Sequence, residues 1–168
     1  MDRMSPEQRH RCMSHIRDKD TGPEWAVRRL VHALGFRYRL HVKGLPGKPD
    51  LVLARHRKVI FVHGCFWHAH GCRAARHAPA THKRFWREKF ARNAARDQAA
   101  LRALWQAGWQ VLVVWECQTK DPDQLRAILA AFLAPSAGTV NYALADQHAL
   151  YALAAETPMA YGNSDPER

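Results

Sequence analysis

Residues 63–72 read HGCFWHAHGC: two cysteines, three histidines and two large aromatics in ten positions. Thiols and imidazoles at that density suit a metal ion. Aromatics in a basic chain suit stacking on nucleic-acid bases, and a small apolar plug is the plain structural alternative. Cys65, Cys72 and the distant Cys117 with one histidine would make a Cys3His tetrahedral site, structural when all four positions are protein ligands. His70, two residues before Cys72, is the better-placed histidine, which leaves His63 and His68 for other work. Such capture contributes on the order of 10 kcal/mol in small structural sites, enough to hold a loop of this kind. The same spacing also allows three buried thiols that never meet.

Asp50 is the second focus. It follows Pro49 at the mouth of an apolar run, in GKPDLVLA. If that run forms a hairpin with KVIFVH at residues 58–63, Asp50 lies opposite Val62 when Ala54 pairs with Lys58, and opposite His63 when Arg55 does. Hard cations such as Mg2+ take carboxylates, backbone carbonyls and water. Asp50 with the Val62 carbonyl would suit one, and an aspartate closing its own turn is the other possibility. Phe66 and Trp67 sit inside the metal-type loop, which has little room to bury both. Base stacking, worth roughly 1–3 kcal/mol per base in single-strand binders, or wedging between base steps competes with a miniature core beneath the loop.

Positioning these groups requires an ordered framework, and its elements are legible. Thr21 and Glu24 have capping-box spacing, Pro23 follows in the first turn and Gly35 can stop the helix. Val27, Leu30, Val31 and Leu34 make its apolar stripe. Residues 36–42 alternate as a half-exposed strand, residues 43–49 are a loop, and DLVLA and KVIFVH are strands joined at Arg55-His56-Arg57. Residues 64–81 are expected to be irregular. The pattern over 82–107 is helical and ends at Gly108. WQVLVVWEC is a strand apolar on both faces, and PDQLRAILAAFLA is an amphipathic helix. The order predicts an α/β fold, a mixed central β-sheet flanked by helices.

In the helix over 82–107, Phe90, Ala94, Leu101 and Trp105 share the expected core face. Trp86, Asn93 and Asp97 fall on a neighbouring line with Lys89 close by, among Lys83, Arg84, Arg87, Arg92 and Arg96. Asn and Lys offer donors to base edges; a solvated basic helix is the alternative. Asp97 is out of place on such a line unless it orients a histidine.

Charge narrows the class. Lys and Arg total 26 against 15 Asp and Glu, a net charge of +11. Residues 1–117 hold 23 basic and 9 acidic side chains, whereas residues 118–168 hold 3 and 6. A basic body of this kind suits a polyphosphate partner. No apolar run is long enough to span a bilayer, and the polar opening MDRMSPEQRHRC does not resemble a secretory signal, so a cytoplasmic address is expected. Four cysteines without an export signal point to thiols or metal ligands rather than disulfides.

Together LPGKPDLVL, VIFVHGCFWHAHGC, FWREKFARNAARD and AGWQVLVVWEC resemble, in order and spacing, the very-short-patch repair (Vsr) mismatch endonucleases over residues 13–117. The resemblance implies a restriction-endonuclease-like core with a structural zinc site. Asp50 would take the place of the "PD" aspartate, while Phe61-Val62-His63 replaces the common "ExK" pattern. Asp50 and the Val62 carbonyl would hold Mg2+. His68 would be the general base assisted by Asp97, with His63 and Glu24 nearby. Cys65, His70, Cys72 and Cys117 would bind Zn2+. Phe66, Trp67 and Trp86 would wedge beside a T·G mismatch, and Met13, Lys89 and Asn93 would touch the mispaired region. Val62 stands where members often have threonine, and Ala69 and Gly71 stand where some have histidine.

The implied activity is a nick in one strand, 5′ of the mispaired thymine, in repair of deaminated 5-methylcytosine. Duplex DNA carrying the mismatch is the implied partner, with mismatch-repair proteins as further candidates and a monomer as the expected state. Residues 1–20 would be a basic arm or helix, residues 21–134 the endonuclease domain and residues 135–168 a tail outside the resemblance. A zinc-stabilised DNA-binding module without catalysis, and a nuclease without mismatch preference, are the alternatives.

Overall fold

Helix α1, Gly22–Ala33, begins at the capping box that its sequence encodes. Thr21 Oγ1 accepts from the Glu24 N–H, and the Glu24 carboxylate accepts in return from the Thr21 N–H, each at 3.4 Å. Val27 and Val31 are fully buried on its inner face. Past Leu34 the chain turns at Gly35, whose φ of +89° is open to glycine without strain. The computed structural model describes residues 19–73 and 82–135, with Ser5, Glu7, Gln8, Arg11 and Ser14 nearer the start. Met13, most of the expected arm and nearly all of the expected tail lie outside the described residues.

Strand β1, Arg39–Leu40, has two residues, both exposed, rather than filling the strand expected over 36–42. His41 ends it by adopting a left-handed φ of 48°. Strand β2 is Leu51–Leu53 and β3 is Lys58–His63. A single 3-10 turn at Ala54–His56 and a left-handed Arg57 connect them. That four-residue connection pairs Leu53 with Lys58 and Leu51 with Ile60, so neither expected register is adopted. Asp50 sits one step beyond the Leu51–Ile60 pair, and its side chain reaches diagonally to Val62.

Helix α2, Lys83–Gln106, crosses to β4, Gln110–Trp115, and α3, Pro122–Leu133, follows with Asp121 accepting from the N–H groups of Asp123 and Gln124. The sheet order is β1-β2-β3-β4, antiparallel except for the parallel β3–β4 pair. This is the mixed α/β arrangement expected. Alternate residues of the central strands feed two cores. Val52, Val59, Phe61, Val111, Val113 and Trp115 meet Leu101 and Leu104 of α2. Leu51, Leu53, Ile60, Leu112 and Val114 meet Val27 and Val31 of α1 and Leu125, Leu129 and Leu133 of α3.

The inner face of α2 is turned slightly from expectation. Phe90, Ala100, Leu101 and Leu104 are buried, while Ala94 and Trp105 are only partly covered. Lys58 is buried in its strand, yet its Nζ donates to the carbonyls of Phe132 at 2.6 Å and Ala134 at 2.9 Å, closing the end of α3. No helix among the described residues is long and apolar enough to cross a membrane.

Candidate active site and metal cluster

Strand directions decide where the chemistry gathers. Antiparallel pairing puts the start of β2 beside the end of β3, and parallel pairing brings the end of β4 to the same edge. Asp50, Val62, His63 and Glu116 therefore meet there, and with Glu24, Trp67, His68, Arg96 and Asp97 they line one cleft of about 920 Å3. Gly47 lets the loop before β2 close one wall: a Cβ there, at φ +71°, would lie 2.7 Å from Ala100 Cβ.

Asp50 Oδ2 accepts from the Val62 N–H at 2.7 Å. Burial pushes its carboxyl up to about 6, against the Val62 N–H, which favours the charged form; the charge of Glu24 adds to the rise. The two histidines sit as a pair. His63 and His68 stack with ring centroids 3.9 Å apart and planes 7° from parallel, and His68 Nδ1 is 2.5 Å from Asp97 Oδ2. Burial, reinforced by the neighbouring His68, pushes His63 down to about 3 and keeps it neutral. His63, His68 and Asp97 also have ligand atoms within 4.8 Å of one another.

Glu24 reaches the cleft from the first turn of α1, almost wholly buried. Its Oε2 takes a 2.6 Å bond from Arg28, which also donates to Asp20 at 2.5 Å. Arg28 is 2% exposed and approaches His41 Nε2 at 3.5 Å. Asp20, Glu24 and His41 are close enough to hold a cation, but the guanidinium is already seated among them. Arg28 was not among the residues singled out from the sequence, although its i, i+4 spacing from Glu24 is an ion-pair signal. Glu116, also not singled out, has Oε2 3.3 Å from the Cys65 N–H it accepts from. Its sequence signal is its place next to Cys117.

Beyond β3 a tight loop folds back on itself, with His68 N–H donating to Gly64 and His70 N–H to Cys65, and with Ala69 in a left-handed conformation. The loop brings Cys65, His70 and Cys72 to Cys117, all four ligand atoms within 4.8 Å of one another. Cys117 Sγ is 3.6 Å from His70 Nδ1, and the Cys117 N–H donates to Cys65 Sγ at 3.4 Å. Three soft thiols and an imidazole, gathered this tightly, fit a tetrahedral metal ion. Burial pushes the Cys65 thiol up to about 12 and raises Cys117 as well.

Phe66 and Trp67 neither project freely nor vanish under the loop. Phe66 packs edge-on against Trp67, Trp86 and Phe90, and all but Phe90 stay partly exposed. Lys89 Nζ lies over the rings of Trp67 at 5.2 Å and Trp86 at 5.4 Å. Asn93 donates to the Trp67 carbonyl at 2.8 Å, so its amide braces the patch. The result is an aromatic and cationic surface whose Trp67 also lines the cleft.

A cleft of carboxylates and imidazoles beside such a surface, on a basic domain, has the make-up of an enzyme that acts on DNA. The chain is 50% identical over 135 residues, 80% of its length and 98% of the relative's, to the type II nicking enzyme V.XorIIP of Xanthomonas oryzae pv. oryzae. It is 43% identical over 109 residues, 65% of its length and 77% of the relative's, to the type II nicking enzyme V.NmeAIP of Neisseria meningitidis. It is 40% identical over 117 residues, 70% of its length and 74% of the relative's, to the DNA mismatch endonuclease Vsr of Escherichia coli. The chain is a DNA endonuclease, which removes the non-catalytic binding module as an alternative. A family model described as DNA mismatch endonuclease Vsr matches residues 1–74. The chain belongs to the Vsr DNA mismatch endonuclease family.

Proposed function

We propose that this endonuclease nicks one strand of duplex DNA 5′ of the thymine in a T·G mismatch, the lesion left by deamination of 5-methylcytosine, on a restriction-endonuclease-like core. The observation that carries this is the shared cleft: Asp50, Val62, His63, His68, Asp97 and Glu24 line it, and Trp67 joins it to the aromatic patch. The relatives' names, mismatch endonuclease and nicking enzyme, support the same conclusion. A weakly stacked T·G step resists aromatic insertion less than a matched step does. Action as a monomer in the cytoplasm, with mismatch-repair proteins as partners, goes with this function.

The donor set at Asp50 fits a hard divalent ion. A strand residue turns its N–H and C=O to the same edge, so the Val62 carbonyl accompanies the N–H that already meets Asp50. Mg2+ held by Asp50 and that carbonyl would supply a Lewis acid for the scissile phosphate and the leaving oxygen. His68, with Nδ1 engaged by Asp97, presents its other nitrogen to take a proton from water. His63, neutral and stacked on His68, supports that ring without adding charge. Cys65, His70, Cys72 and Cys117 would hold Zn2+ as a structural ion.

Strand-labelled duplexes containing T·G, T·A or C·G at one position, incubated with Mg2+, test the proposal. The expected outcome is a nick 5′ of the thymine in the T·G duplex alone. Equal nicking of all three would leave a nuclease without mismatch preference. No nicking of any duplex would end the proposal.

A further inference from the structure

Strand β4 runs into the sequence Trp115-Glu116-Cys117. Cys117 belongs to the thiol cluster, and Glu116 holds the first amide of its loop. Trp115 does something different. One face of its indole carries His70, with centroids 4.1 Å apart and planes 6° from parallel. His63 meets the same indole edge-on at 5.6 Å and 74°, and His68 does so at 6.5 Å and 69°. A single buried ring thus touches one imidazole of the thiol cluster and both imidazoles of the cleft.

The backbone makes this contact unavoidable. The parallel register pairs His63 with Trp115, so their side chains leave the sheet side by side on the α2 face. The loop then doubles back through its hydrogen bonds to Gly64 and Cys65, which lays His68 over His63 and brings His70 to Trp115. The Asp97 carboxylate fixes the position of one nitrogen of His68. A hydrogen bond of that kind leaves the ring free to tilt about it, whereas stacking fixes the plane.

We propose that Trp115 is a positioning residue for nicking: its indole sets the plane of His63, and through it that of His68, and ties both to the thiol cluster through His70. The inference rests on His68 acting as the base. Trp115 also belongs to the apolar core beside Val113 and Cys65, so volume and plane must be separated. A core filler needs the first, and a positioning ring needs the second.

Full-length, metal-replete Trp115→Phe and Trp115→Leu make that separation, because the first keeps an aromatic plane and the second keeps only apolar bulk. On a duplex that the wild type nicks, Trp115→Leu is expected to lower kcat by roughly 30- to 100-fold, the scale of a misplacement near 1 Å. KM should stay within about twofold, because no DNA contact is removed. Trp115→Phe should recover most of the rate. In proton–carbon spectra of histidine-labelled protein, the His63 and His68 ring resonances should move in the leucine variant while its metal content holds. Equal loss in both variants, a leucine variant within about threefold of wild type, or loss of metal together with activity would overturn the proposal. His68→Ala, run alongside, separates the two ideas. Undiminished nicking there sinks the assignment of the base, whereas an inactive His68→Ala beside an unaffected Trp115→Leu sinks only the role of Trp115.

Discussion

Asp97, midway along α2, places Oδ2 2.5 Å from Nδ1 of His68, a residue 29 positions earlier in the loop after β3. A carboxylate on one ring nitrogen fixes the tautomer and leaves the other nitrogen able to accept a proton. Asp97→Asn keeps the shape but no longer favours that tautomer. Single-turnover nicking should fall by about 100-fold or more, as with a triad aspartate, while duplex affinity is retained. An unchanged rate would show that the pair has no part in the chemistry.

Asp50 carries a pH signature. Its carboxyl sits near 6 in the folded protein against an ordinary 3.8, raised first by burial. A raised folded value means that stability is greatest below the unfolded value and is lost as pH rises through the folded one. Asp50→Asn should therefore stabilise metal-free protein by about 3 kcal/mol at pH 7.5, and by nothing below about pH 4, while abolishing nicking. Urea denaturation in a chelator across that range measures it. A stability difference that does not vary with pH would contradict the burial account.

The thiol cluster should bind one metal ion per chain. Metal analysis of purified protein is expected to give about one equivalent of zinc, and Cys117→Ser less than about half, with a melting midpoint lower by more than about 10 °C. Because the Cys65 and Cys117 thiols of the metal-free cluster are pushed up by burial, metal uptake should release protons and weaken as pH falls. Full stability of the chelated wild type would argue against a structural ion.

Phe66 is the hub of the aromatic patch, touching Trp67, Trp86 and Phe90. Phe66→Ala and Trp67→Ala should each reduce discrimination between T·G and matched duplexes by about 5- to 150-fold, the rate equivalent of 1–3 kcal/mol per lost stack. Retained selectivity in both variants would rule out insertion as the source of mismatch preference.

Arg28 is the buried counter-ion of Glu24 and Asp20. Arg28→Met would leave Glu24 buried without its cation and should cost roughly 3–5 kcal/mol, part of it recovered by adding Glu24→Gln. Equilibrium unfolding of the single and double variants checks this, and a neutral single variant would refute it.

Much of the framework was written in neighbouring residues. The Thr21–Glu24 box, the stripe through Val27 and Val31, the stop at Gly108 and the two-faced apolar strand ending at Trp115 depend on contacts a few positions apart, and each recurs in the fold. The ordered motifs around Asp50 and residues 63–72 were enough to suggest the family. The strand register was not legible, because one extra residue in the turn shifts every partner and several turns suit Arg55-His56-Arg57 equally well. Nor was the shortness of β1, which His41 decides by its backbone conformation.

The amino-acid sequence by itself thus determined the order of elements, the basic character and the set of reactive side chains, since these follow from local periodicity and residue type. Tertiary structure alone decided which of those groups meet. A carboxylate on a basic helix reads the same whether it faces solvent or an imidazole, and an arginine one turn from a glutamate reads the same whether exposed or buried. Asp97 beside His68, Arg28 sealed against Glu24 and Trp115 shared by three histidines arise only when segments far apart in the chain are packed onto one sheet edge, where burial gives each contact a single geometry.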